Sequence, residues 1–184
     1  MKKNNVITMA IVAIALLFTS CGGTKFTEED ITNLLFKYDK GILAGVDIGD
    51  NWDDIKANHN SEFTVREEKT VLGGMIYQLR KDNNDDNMIH VDFELDDAKN
   101  VTTIRYSIML SIDGIEDVSF MNKLKNTIAD LFTNKLFYPV IFDEADVKQW
   151  KIFKNGKAYT IYLSSSENTD QKLGHLDIDV TPVK

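Results

Sequence analysis

Two short runs place an imidazole beside carboxylates at strand spacing: His90-Val91-Asp92-Phe93-Glu94 and His175-Leu176-Asp177-Ile178-Asp179. On an extended strand alternate residues point the same way, so His90, Asp92 and Glu94 share one face, as do His175, Asp177 and Asp179. One imidazole with two carboxylates is a donor set for a divalent cation. The same pattern arises on any strand whose other face is buried. The reading adopted is therefore a solvated face, with no metal favoured and no cofactor implied. The oxygen-rich run Lys81-Asp82-Asn83-Asn84-Asp85-Asp86-Asn87 has the composition of a calcium loop but not its pattern. Asn87 stands where an EF-hand needs glycine, and Phe93 where it needs a bidentate Glu. It reads as a hydrophilic hairpin connection. Ser164 to Lys172 is an equally polar counterpart, and two such loops at one end of a sheet can form an interaction edge.

Catalysis finds little to work with. The chain contains no Gly-x-Ser-x-Gly elbow, no His-Glu-x-x-His, no P-loop and no Gly-x-Gly-x-x-Gly. Ser164-Ser165-Ser166 has no nearby base in sequence, and Glu28-Glu29 and Asp53-Asp54 lie at helix starts, where the macrodipole favours acids. The expectation is a protein that is not an enzyme. Trp52 and Trp150 are the candidate binding residues: each is either an exposed anchor of a contact surface or a core residue beneath its own repeat.

Cys21 is the only cysteine. Lys2 and Lys3 precede an uncharged apolar run from Val6 to Phe18, and small residues follow, which is the layout of an export signal. Leu16-Leu17-Phe18-Thr19-Ser20-Cys21 resembles a bacterial lipobox, with Phe18 where Leu is usual. That resemblance implies a signal peptide over 1–20 and a lipid on Cys21, leading a tether over 21–27. The apolar run is shorter than the roughly 20 residues a spanning helix needs. A lipidated sulfur also avoids an unpaired thiol in an oxidising compartment. Gly22 lacks the Asp that favours inner-membrane retention, so the expected address is the cell envelope, anchored at the outer membrane.

The 184 residues carry a formal net charge of -8, and loss of Lys2 and Lys3 with no acid takes that to -10. Such a chain is repelled by phosphate backbones, which argues against nucleic acid as a partner. With 43% apolar residues and only two prolines it can bury a core without a disulfide.

Periodicity supplies the frame. Thr27 and Asp30 form a capping box before a helix over Glu28 to about Leu43, and Asn51 caps a shorter helix from Trp52 to about Ala57. Strand patterns follow at Phe63–Val65, Met75–Arg80, Ile89–Leu95 and Val101–Ile112. Asp113 and Glu116 then predict a second capping box, before a helix marked by Val118, Met121, Leu124, Ile128, Leu131 and Phe132. Asp143 to Lys148 is expected to form a short helix. Lys148–Lys154 and Lys157–Ser164 flank Asn155-Gly156 as a hairpin, and His175–Val180 closes the chain as a strand. Ile76-Tyr77 recurs 85 positions later as Ile161-Tyr162, and the two His-x-Asp-x-acid runs are also 85 apart. The expected fold class is α+β, in two tandem units over 28–112 and 113–184, each with one or two helices packed on an antiparallel sheet.

Gly49-Asp50-Asn51-Trp52-Asp53-Asp54-Ile55-Lys56 resembles the Gly-x-Ser/Thr-x-x-Glu/Asp-Val/Ile signature of small outer-membrane lipoproteins of the barrel-assembly machinery. That resemblance implies two short helices on a three-stranded antiparallel sheet. The tandem order of elements is similar to the secreted β-lactamase inhibitor proteins, which clamp a partner through the concave face of the sheet. The expected function is a non-catalytic protein-binding module, an assembly accessory or inhibitor-like binder, whose partner is another envelope or extracellular protein. The alternative is a lipoprotein that takes a small ligand or glycan in a cleft between its units.

Overall fold

The computed structural model describes residues 26–36, 42–84, 87–144, 147–154, 156–168 and 172–183. The signal segment 1–20 and Cys21 lie outside the described residues. Among the described residues three α-helices, α1 (Glu28–Phe36), α2 (Trp52–His59) and α3 (Ile115–Asp130), accompany eight strands. The strands are β1 (Thr64–Lys69), β2 (Met75–Asn84), β3 (Asn87–Leu95), β4 (Val101–Ser111), β5 (Val140–Asp143), β6 (Val147–Lys154), β7 (Lys157–Asn168) and β8 (Leu173–Pro182). All pair antiparallel in one sheet of order β1-β2-β3-β4-β8-β7-β6-β5. The fold is α+β.

Local chemistry explains the helix starts. Thr27 and Asp30 cap α1 reciprocally: Asp30 N donates to Thr27 Oγ1 at 3.1 Å and Thr27 N to Asp30 Oδ2 at 2.9 Å. Asn51 caps α2 by accepting from Asp53 N at 3.0 Å. The box expected at Asp113 and Glu116 does not form. The helix starts at Ile115, so the cap position falls on Gly114, which has no side-chain oxygen. Asp117 instead reaches back to accept from Asp113 N at 2.8 Å.

A second correction concerns Asp143 to Lys148. Its described residues are not helical: β5 ends at Asp143, β6 begins at Val147, and Glu144 N donates to Val147 O at 2.9 Å. Val140-Ile141-Phe142 is a β-branched and aromatic run that pairs readily beside Lys148–Trp150. The sequence repeat also falls out of step with the sheet. An offset of 85 carries β2 onto β7 and β3 onto β8, whereas the two strands that meet at the centre are β4 and β8.

All three helices cover one face of the sheet. Trp52 of α2 meets Tyr77 and Phe93, with ring centroids 5.4 and 5.6 Å apart. Phe132, in the π-helical turn after α3, meets Trp150 at 5.1 Å and Phe36 of α1 at 5.6 Å. Beneath them the inward residues of the central strands, Val91, Ile104, Ile108, Leu176 and Ile178, are fully buried. Gly174 permits close approach, since a Cβ there would lie 2.7 Å from Ile112 Cδ1 and 3.3 Å from Met121 Cγ. Tyr106 is wholly buried, and its hydroxyl has no hydrogen-bond partner among the described residues. Burial pushes its phenol far above the ordinary range.

Candidate functional site

The helices leave the other face of the sheet open, and register decides what stands there. One row runs Arg66, Gln78, Asp92, Arg105, Asp179, Tyr162 and Gln149, one residue per strand from β1 across to β6. Its members bond along the row: Gln78 Nε2 donates to Asp92 Oδ1 at 2.7 Å and Arg105 Nε to Asp179 Oδ1 at 2.8 Å. In the next row Ser107 Oγ donates to Asp177 Oδ1 at 2.5 Å. The Asp179 hydrogen bond and charge, with Asp92 and Glu94 nearby, raise the Arg105 guanidinium further above its usual value.

That arrangement accounts for both histidine runs. β3 and β8 flank β4, so Asp92 and Asp179 sit on either side of Arg105, and His90 and Asp177 on either side of Ser107. The two runs are staggered, with His175 opposite Met109. His90 Nε2 lies 3.6 Å from Asp92 Oδ2, and Glu94 is exposed. No group of three potential metal ligands converges among the described residues. The acids are held by arginine, glutamine and serine rather than aimed at a common point.

Trp52 and Trp150 are both fully buried. Trp52 Nε1 donates to Glu67 Oε2 at 3.1 Å, and Trp150 Nε1 to Thr133 Oγ1 at 3.0 Å. The anchor reading offered for each therefore gives way to the core reading. Neither indole presents surface to a partner.

Several exposed large apolar residues stand on two hairpins at one end of the sheet, on opposite sides of it. The β1–β2 hairpin carries Val71 and Leu72 at its tip, 104% and 98% exposed, and the last residues of β6 include Phe153 at 74%. Register puts both at the end where β4 begins: Lys69 pairs with Met75, Leu95 with Val101, and Phe153 with Ala158. Val183, beyond β8, is also exposed there. Along the β5 edge Val140, Ile141 and Phe142 are exposed, running toward the opposite end of the sheet, with Phe137 just before them. β5 is blunted as a strand-pairing edge, being four residues long and bulged at Ile141, but its apolar side chains remain displayed.

At the opposite end Asp82 near the close of β2, Glu144 after β5 and Glu167 near the close of β7 are exposed, and exposed Phe142 of β5 stands two residues before Glu144. Two clefts of about 390 Å³ each flank the β4–α3 connection at this end. One has Leu110 and Phe120 in its walls, the other Ile112 and Val118.

Sequence reasoning missed the apolar end, although a signal was present. Ile152-Phe153 breaks the alternation of β6, so one of the two must face out, and Val71-Leu72 stands inside a turn beside Gly73-Gly74. Compared with known proteins, the chain matches no family model, no curated protein sequence and no solved structure, so function is argued from its own residues.

Proposed function

We propose that this chain is a lipid-anchored, non-catalytic protein-binding module of the cell envelope, tethered through Cys21 and docking a partner protein at its apolar end. The observation that carries the reading is that end itself: Val71 and Leu72 stand wholly in solvent, and Phe153 is largely exposed. Scattered apolar residues need no explanation, but highly exposed ones on two hairpins at the same end of the sheet suit a contact surface that spans both. The open sheet face is a weaker candidate, because its charges already satisfy one another. Sheet order supports two helix-plus-meander units over 28–112 and 113–184, since β4 and β8 each close a run of four antiparallel strands and meet at the centre. The seat is outer-membrane, by the sequence around Cys21.

Affinity capture from envelope extracts with the mature domain tests the reading. A specific protein is expected with the wild type and is lost with Leu72→Glu/Phe153→Glu. Equal recovery with both proteins contradicts it. The clefts beside the β4–α3 connection favour a second reading, capture of a small apolar or glycan ligand where the two units join. Saturable binding on a sugar or small-molecule array, abolished by Val118→Glu, would support that alternative.

A further inference from the structure

The open face of the sheet brings two thioethers and two imidazoles together on three neighbouring strands. We propose that Met88, Met109 and His175, with His90 beside them, form a binding site for monovalent copper. The proposal depends neither on the docking end nor on the address implied by Cys21.

Register builds the cluster. Met109 of β4 pairs directly with Met88 of β3 on one side and with His175 of β8 on the other. His90 pairs with Ser107, two residues before Met109, and so lies on the diagonal. Alternation turns all four to the open face: Ile89, Ile108, Leu110 and Leu176 beside them are buried inward, whereas Met88, His90, Met109 and His175 are half-buried. Directly opposed side chains in a sheet have Cβ atoms about 4.5–5.5 Å apart, and diagonal ones about 7–8 Å. Met109 is therefore the centre, with three donors around it. Met88 and His175 stand two strand spacings apart, about 9–10 Å. A flexible thioether and an imidazole leaning inward over Met109 close that span with two metal bonds of about 2.0–2.3 Å.

The donor types select the ion. Oxygen on this face is already engaged, since Gln78 donates to Asp92, Ser107 to Asp177 and Arg105 to Asp179. Among histidine, cysteine, aspartate and glutamate no three converge in the described residues, and methionine is the donor outside that set. Magnesium, calcium and manganese want oxygen, and zinc takes thiolate, imidazole and carboxylate, whereas thioether with imidazole suits Cu(I). Apart from Met88 and Met109, the outward residues of β3 and β4 are polar, so a facing pair of thioethers is out of keeping with a merely wet surface. His175 makes no hydrogen bond or ion pair among the described residues, and it lines an open hollow of about 490 Å³ with Ser166 and Asp177. That hollow gives an ion its approach from solvent. His90 Nε2 lies 3.6 Å from Asp92 Oδ2, the kind of outer carboxylate contact that orients a ligating imidazole.

The test titrates the full chain carrying Cys21→Ser, which removes the only thiol, with Cu(I) in anaerobic competition against bathocuproine disulfonate. One equivalent is expected to leave the chelator for the protein. Loss of an outer-shell partner already costs a metal site about 10–100-fold, so Met109→Leu and His175→Gln should each weaken binding by at least about tenfold. Met75→Leu, at the exposed methionine of β2, should leave it within about twofold. Met109→Leu conserves volume, and an unchanged denaturant midpoint would show that the fold is intact. Ag(I), a redox-silent stand-in, is expected to shift the methyl carbons of Met88 and Met109 in NMR spectra but not that of Met121, which is buried on the other face. Failure to draw Cu(I) from the chelator overturns the proposal. So does binding indifferent to Met109→Leu, or tighter binding of Zn(II) than of Cu(I).

Discussion

The two ends of the sheet are closed by turns of similar kind and differ in what those turns display. At one end Val71, Leu72 and Phe153 are exposed on two hairpins, with Lys69, Lys151 and Lys157 and the acids Asp96 and Asp97 nearby. At the other, Asp82, Glu144 and Glu167 are exposed near strand ends, Phe142 stands close to Glu144, and Leu110, Phe120, Ile112 and Val118 line clefts. Backbone architecture imposes neither pattern, because a two-layer α+β fold needs only the inward face of its strands to be apolar. Folding alone therefore gives no reason for the exposure of Val71, Leu72 and Phe153, which is consistent with the proposed contact surface. Desolvating a few such side chains against a partner is worth roughly 1.5–3 kcal/mol each, enough for specific binding once the cost of association is met.

The comparison breaks first if the tips turn out to be structural. Trp150→Ala, three positions from Phe153, is expected to cost about 3–5 kcal/mol, because the indole is fully buried against Phe132. Chemical denaturation of the two variants would measure this, and Phe153→Ala should stay within about 0.5 kcal/mol of wild type. The next effect is on binding. Leu72→Glu/Phe153→Glu should weaken partner capture by roughly 30-fold or more, a hot-spot loss of about 2 kcal/mol, whereas Glu144→Lys/Glu167→Lys at the other end should leave it within twofold.

A smaller effect has the opposite sign. Tyr106→Phe removes a buried hydroxyl that lacks a partner, so the variant should be as stable as wild type or about 1 kcal/mol more stable by denaturant midpoint. The smallest effect is on pH. The Lys56 hydrogen bond, and then that of Trp52 Nε1, hold the Glu67 carboxyl below its ordinary value. An acid with a depressed folded pKa contributes stability above its unfolded pKa and loses it as pH falls through the folded one. Trp52 emission should therefore shift on acidification below the ordinary glutamate range, and Glu67→Gln should abolish that shift. Glu28, held low by Lys123 and then Thr127, gives the entry end a clasp with the same acid limb. Trp150, whose indole meets a neutral threonine, should not report either event.

Much of the fold was legible because local chemistry and tertiary packing agreed. Thr27–Asp30 and Asn51 cap their helices as expected, and the alternation in β3, β4 and β8 gives the buried face residue by residue. The reading failed where two patterns competed. Asp143–Lys148 has no strong period, and its fate was set by Val140-Ile141-Phe142 pairing against β6, a contact invisible to a local window. The site was less legible. Histidine and acids at strand spacing signal chemistry and a wet face equally, and only register across β4 shows Arg105 and Ser107 holding the carboxylates. The apolar tips were written as faults in alternation, which single out a residue without saying which end of the sheet it will reach.

The central proposal is that one end of the sheet docks a protein and the other does not. Its most direct test places a benzoylphenylalanine at position 153 in one strain and at position 167 in another, and irradiates intact cells producing the full chain. A discrete protein adduct from 153, with none from 167, is the predicted result. Adducts from 167 alone, or lipid as the only product at 153, would contradict the claim.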